Sequence, residues 1–234
     1  MASSRATARQ QGPLSDALRE RYKHDAAKAA AEMVQDGMRV GLGTGTTVAH
    51  LLPAIAERGL ANVRCAATSP ATERAALALG LKLADLDELG DLDIAIDGAD
   101  QIDPGAWLVK GGGRALTREK IVAAAAKVFV VIASEEKAVG ELGPPVPLEL
   151  MRFGARCTLT KLGQARLRDG AESPDGGLIA DYLGAVGDPR ELSARLSAAP
   201  GVIEHGLFAP EMVSVILIAG AAGVQRREGG KPLG

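Results

Sequence analysis

Short apolar runs that alternate with helically spaced segments constrain this chain more than any single motif. Residues 38–42, 63–67, 81–84, 92–96 and 128–133 read as strands, and helical spacing marks 22–34, 48–58, 72–79 and 121–127. Thr117 stands where the last of these helices would take its N-cap. Strands and helices in such alternation imply an α/β fold, a parallel sheet with right-handed crossovers.

The regime changes at Pro144-Pro145-Val146-Pro147, because two prolines in succession cannot continue a helix or a central strand. Beyond it the pattern becomes short strand, helix, short strand, with a turn-rich loop at 170–177 and a helix at 189–198, as in a smaller α+β domain. Residues 212–219 return to strand character and are expected to rejoin the main sheet, and 220–234 read as a loose tail. The expected division is a main catalytic domain at 15–145 plus 206–228, and a smaller domain at 146–205.

With 47% apolar and 24% charged residues and a formal net charge of -2, the 234-residue chain has a globular composition without the basic excess of a nucleic-acid binder. No apolar stretch is as long as a membrane span, and residues 1–14 are polar with two arginines and no hydrophobic core of a leader, so a cytoplasmic protein is expected. Cys65 and Cys157 have no metal-type spacing, and Cys65 lies in an apolar strand as inert core. His24, His50 and His205 show no HxxxH or HxH pattern, and no serine has a hydrolase elbow, so neither a histidine metal site nor a triad is expected. A small molecule is the expected partner, with no nucleic acid and no membrane.

Asp97-Gly98-Ala99-Asp100 follows directly on the strand at 92–96, at the end where open α/β sheets bind ligands. Lys110-Gly111-Gly112-Gly113 and Glu119 come soon after, so three carboxylates, one ammonium and a glycine turn are gathered in a short stretch. That mixture suits proton transfer on a phosphorylated or hydroxylated small molecule. Taken singly, the aspartates could be turn residues and Glu119 a helix-dipole complement; together with Lys110 they make a candidate acid–base set. The loop at 41–47 is a poor dinucleotide fingerprint, because Thr46 stands where the third glycine would be. Thr44, Gly45, Thr46 and Thr47 instead offer amides and hydroxyls at a helix N-terminus, fit for one phosphate, although an unliganded strand-to-helix turn explains the loop equally well.

Taken together, GLGTGTT at 41–47, TSPATER at 68–74, DGADQID at 97–103, KGGGRALTREK at 110–120 and PGVIEHGLF at 200–208 closely resemble the ribose-5-phosphate isomerase A family. The resemblance implies an aldose-ketose isomerase that interconverts ribose 5-phosphate and ribulose 5-phosphate through an enediolate in the non-oxidative pentose phosphate pathway, with no metal or organic cofactor. It implies a Rossmann-like domain with a smaller ferredoxin-like α+β domain. It assigns Glu119 as the base, Asp97 and Asp100 at the reacting sugar, and Lys110 beside the developing oxyanion. Lys23, Thr44, Thr46, Thr47 and Lys137 match phosphate-holding or pocket-lining positions, with Gly45 and the Gly111, Gly112 and Gly113 amides beside them. Thr46 keeps the hydroxyl where the family commonly has serine, while 173–177 and Asp181-Tyr182 depart from the usual pattern of the smaller domain. Apolar surface on that domain would favour a homo-oligomer, dimer or tetramer. Two rivals are an acyl-CoA transferase-like enzyme with a nucleophilic glutamate and a sugar-phosphate sensing domain; the latter would lack the acid–base set present here.

Overall fold

The structure is a computed structural model that describes residues 14–233, so nearly all of the polar start at 1–14 lies outside the described residues. Ser15 caps α1 (Asp16–Ala31) by accepting from the Leu18 amide at 3.3 Å, and the chain then enters β1 (Arg39–Leu42). The alternation continues through α2 (Thr46–Ala56), β2 (Arg64–Ala67), α3 (Pro70–Ala78) and β3 (Lys82–Leu83). Ser69 accepts from the Thr72 amide with Pro70 at the first helical position, so α3 starts before its apolar spacing reveals it. A single turn, α4 (Leu86–Leu89), leads into β4 (Leu92–Gly98), then the short strands β5 (Gln101–Ile102) and β6 (Leu108–Val109).

Helix α5 (Leu116–Ala125) runs into β7 (Ala126–Ser134), so the helix expected at 121–127 begins and ends earlier. Ala115 occupies its N-cap; Thr117 does not cap but donates its hydroxyl to Glu149 Oε2 at 2.5 Å. A 3-10 turn at Glu135–Lys137 follows β7. The next segment comprises β8 (Val146–Leu150), α6 (Ala155–Leu162), β9 (Ala165–Glu172), β10 (Leu178–Tyr182), α7 (Pro189–Ser197) and β11 (Val202–His205). Much of the expected loop at 170–177 is thus turn only after Glu172. The chain returns through β12 (Leu207–Phe208) to β13 (Val215–Gly220) and β14 (Gly223–Glu228).

The main sheet has seven strands in the order β14-β13-β7-β4-β1-β2-β3, parallel throughout except for the antiparallel edge strand β14. Side chains alternate across it: Val130 and Ile132 pack with α1 and α2 on one face, Phe129 and Val131 with Val122 of α5 on the other. Each such fully buried aliphatic or aromatic side chain contributes roughly 1.5–3 kcal/mol. The middle of the tail expected to be loose forms β14. Its side chains are mostly exposed, and backbone pairing with β13 holds it, which hydropathy does not register.

The smaller antiparallel sheet has the order β11-β8-β10-β9. β8 is one of its inner strands although Pro147 lies within it. Pro147 accepts from the Gly206 amide at 2.7 Å but has no N–H to return, and the Gly206 carbonyl instead accepts from the Lys110 amide at 2.8 Å. The proline that would weaken a ladder therefore frees a carbonyl to hold the backbone of Lys110. A three-stranded sheet, β12-β6-β5, lies at this junction.

Candidate active site

β4 pairs with β1 and β7, and its end carries Asp97 up to the turn that follows β1. Gly43 is required there: a Cβ on it would overlap the Asp97 carboxylate. Asp97 Oδ1 accepts from the Gly98 amide at 2.7 Å and the Thr44 amide at 3.1 Å, so this carboxylate ties the β4 turn to the threonine loop.

Lys110 reaches the same point from beyond β6. Its Nζ donates to the Gly98 carbonyl at 2.6 Å and lies 2.9 Å from Asp97 Oδ2 and 3.3 Å from Glu119 Oε2. Glu119 comes from the first turn of α5. All three side chains are buried, and Asp97 Oδ2 and Glu119 Oε2 face the ammonium without any aligned hydrogen-bond donor among the described residues. Burial pushes the Glu119 carboxyl from 4.5 up to about 8, against the pull of Lys110. Burial raises Asp97 too, against Lys110 and its two amide donors. Burial alone would lower Lys110, but the charges of Asp97 and Glu119 more than offset it and hold the ammonium above its usual value. One cation between two buried carboxyls makes the trio titrate as a unit.

A cavity of about 520 Å³ opens beside the trio, lined by Asp100, Lys110, Glu119, Thr44, Gly45, Thr46, Thr47, Gly111, Gly112, Gly113, Lys23 and Lys137. Every expected site residue lines it except Asp97, which is locked behind Lys110 by the amides of Thr44 and Gly98. Asp100 is the aspartate that faces the space; its Oδ2 accepts from the Gly112 amide at 2.9 Å, and a Cβ on Gly112 would crowd its Oδ1. Helix α2 begins at Thr46 with no side-chain cap, leaving its positive end to the cavity. Lys23 donates to Glu20 Oε1 at 2.6 Å, and Glu20 Oε2 lies 2.9 Å from His50 Nε2. Lys137 has no carboxylate partner among the described residues and stands as the more available cation.

Sequence reasoning missed several groups. Arg19 and Glu136 line the outer wall, 3.4 Å apart. Thr68 meets Thr44 Oγ1 at 2.7 Å and Thr72 donates to the Gly43 carbonyl at 2.8 Å, so both buttress the loop from behind. Arg168, gripped by Asp181 at 2.7 and 2.6 Å, donates to the Gly111 carbonyl at 3.2 Å and so steadies the glycine turn from the smaller sheet. The TSPATER motif held the signal for Thr68 and Thr72, but nothing local announces a partner of Gly111 so far along the chain.

The profile of the family described as Ribose 5-phosphate isomerase A (phosphoriboisomerase A) matches residues 64–223. The chain belongs to this family. The Ribose-5-phosphate isomerase A of Agrobacterium fabrum is 44% identical over 221 residues, covering 87% of this chain and 95% of the relative. Among solved structures, ribose 5-phosphate isomerase A from Methanocaldococcus jannaschii superposes with a TM-score of 0.85 at 34% identity, covering 90% of this chain and 99% of that one. The Neisseria gonorrhoeae ribose 5-phosphate isomerase A gives 0.86 at 30% identity, over 90% and 97% of the two chains. The α/β architecture is thus the one these isomerases share.

Proposed function

We propose that this isomerase interconverts D-ribose 5-phosphate and D-ribulose 5-phosphate through an enediolate, with Glu119 as the base. The observation that carries the assignment is Glu119 Oε2, buried at the cavity wall and 3.3 Å from the Lys110 ammonium. A proton next to a carbonyl is hard to remove because the carbanion is unstable. A carboxylate with raised proton affinity takes that proton more readily, and a fixed cation lowers the energy of the oxyanion left behind. Glu119 moves the proton from carbon 2 to carbon 1, and Lys110 with the glycine-turn amides faces the enediolate oxygen.

The sugar arrives mostly as a ring, and Asp100, which faces the cavity, takes the proton of the carbon 1 hydroxyl as the bond from carbon 1 to the ring oxygen breaks, then returns it to that oxygen, which becomes a hydroxyl. Asp97 keeps Lys110 charged and aimed. The phosphate rests on the loop of Thr44, Gly45, Thr46 and Thr47 at the positive end of α2, with Lys137 and Lys23 as counter-charges. Anchoring the far end of the sugar there orients the reacting carbons. No metal or organic cofactor is needed for this chemistry.

The two-domain division, 15–145 plus 206–228 and 146–205, belongs to the same reading and follows the two larger sheets. Met151, Phe153, Leu183 and Ile203 stand exposed on the smaller unit and favour a homo-oligomer, dimer or tetramer. No described helix is long and apolar enough to cross a membrane, in keeping with a cytoplasmic place in the non-oxidative pentose phosphate pathway. The decisive test incubates the protein with ribose 5-phosphate in heavy water. Ribulose 5-phosphate with deuterium at carbon 1 is expected, and by the return reaction deuterium at carbon 2 of ribose 5-phosphate; absence of both product and label would refute the reading.

A further inference from the structure

Glu149 is a buried carboxylate with no catalytic use in the scheme above. It sits on inner strand β8 of the smaller sheet, and hydroxyls, not cations, hydrogen-bond both of its oxygens. Thr117 donates to Oε2 at 2.5 Å and Ser173 to Oε1 at 2.5 Å. Ser173 is fixed in turn by the Gly177 amide at 3.0 Å and the Asp175 amide at 3.3 Å, so the carboxylate stands on a rigid turn.

Thr117 and Glu119 share the first turn of α5, the turn that has no side-chain cap. Residues two apart on a helix point to roughly opposite sides of its axis. The smaller sheet therefore grips the back of the turn whose front carries Glu119 to Lys110. Lys120 adds a second tie on this turn, donating to Glu204 Oε1 and to the His205 carbonyl, each at 2.7 Å. A rotation of about 10° in an untied turn would move a side-chain tip by about 1 Å, and a displacement of that size can cost roughly a hundredfold in rate.

We propose that Glu149, acting through the Thr117 hydroxyl, is a positioning residue that sets the rotation of the first turn of α5 and with it the place of the Glu119 carboxylate. The proposal rests on Glu119 being the base. It gives the smaller sheet a part in catalysis although neither Glu149 nor Thr117 lines the cavity.

The test uses the full chain and ribose 5-phosphate. Thr117→Val keeps the shape and removes the hydroxyl, whereas Thr117→Ser keeps the hydroxyl. Thr117→Val should lower kcat roughly ten- to hundredfold with KM changed less than about threefold, since the phosphate loop is untouched. Thr117→Ser should restore most of kcat. In a Glu119→Gln background, Thr117→Val should cost less than about twofold more, because the group being positioned is gone. Glu149→Gln, a milder change than a truncation that could prevent folding, should show the same kcat-only loss.

Full kcat in folded Thr117→Val overturns the proposal, as does an equal loss in the Glu119→Gln background, which would mark a general structural effect. If Glu119→Gln alone keeps full turnover, the assignment of the base fails, and the positioning of that base fails with it. Loss in Glu119→Gln with none in Thr117→Val overturns the positioning alone.

Discussion

The Lys110 ammonium stands 3.3 Å from Glu119 Oε2 with both side chains only 2% exposed, an ion pair taken almost wholly out of water. Two charges in that position are costly to desolvate and strongly dependent on each other. Most of the expected behaviour of this protein follows from that dependence.

Removing the cation should be severe. Lys110→Met leaves Asp97 and Glu119 buried without a counter-charge, and a loss of about 3–5 kcal/mol is expected above about pH 8, where the Glu119 carboxyl is ionised in the parent. The loss should shrink in acid, where both carboxyls take up protons and need no partner. Thermal unfolding of the variant and parent at several pH values checks this; a pH-independent difference would speak against an ionised carboxyl at this site.

The rate should record the raised Glu119 carboxyl. A base works when ionised, so kcat/KM should rise with pH through a midpoint displaced upward from the usual 4.5 toward about 8. A profile that stays flat down to about pH 5 would mean that the base has an ordinary carboxylate affinity for protons.

Stability has the opposite dependence on this group. Folded Glu119 binds its proton more tightly than unfolded Glu119, so its contribution is fully present below about 4.5 and is lost as pH rises through about 8. Glu119→Gln cannot ionise and escapes that loss. The variant should gain stability relative to the parent between those limits, as read by denaturant midpoints; a gap that narrows with rising pH would be the wrong sign.

Gly43→Ala should damage fold and chemistry together. The new methyl overlaps the Asp97 carboxylate, which cannot move without releasing the Thr44 and Gly98 amides and Lys110. Overpacking of this kind costs about 1–3 kcal/mol, and kcat should fall with the melting temperature. An unchanged kcat would show that the carboxylate tolerates displacement.

Phosphate contacts should divide from the reacting centre. Lys137→Ala and Thr47→Ala are expected chiefly to raise KM, since both residues line the cavity and are assigned to the phosphate, not to the reacting carbons. Steady-state kinetics with ribose 5-phosphate checks it, and loss confined to kcat would move those residues to the reacting carbons.

How far the sequence reveals this arrangement depends on the range of the interactions. Strands β1, β4 and β7 are buried on both faces, so hydrophobic runs mark them, and the site grows from loops at their carboxyl ends. Asp97, Asp100, Lys110 and Glu119 could be gathered on paper because they fall within one short stretch. That Asp97 lies behind Lys110 while Asp100 faces the cavity depends on which amides each carboxylate captures, and spacing cannot tell them apart. β14 escaped notice because an edge strand with exposed side chains is held by backbone pairing. The ties from Thr117 to Glu149 and from Arg168 to Gly111 span 32 and 57 residues and join α5 and the glycine turn to the smaller sheet, with no local pattern to announce them.

The most direct measurement is the turnover of Glu119→Gln on ribose 5-phosphate, with its melting temperature and substrate affinity taken alongside. Turnover should fall by roughly a hundredfold or more, the scale of a lost general base, while the fold and most of the affinity remain. A folded variant that turns over within a few-fold of the parent would contradict the account.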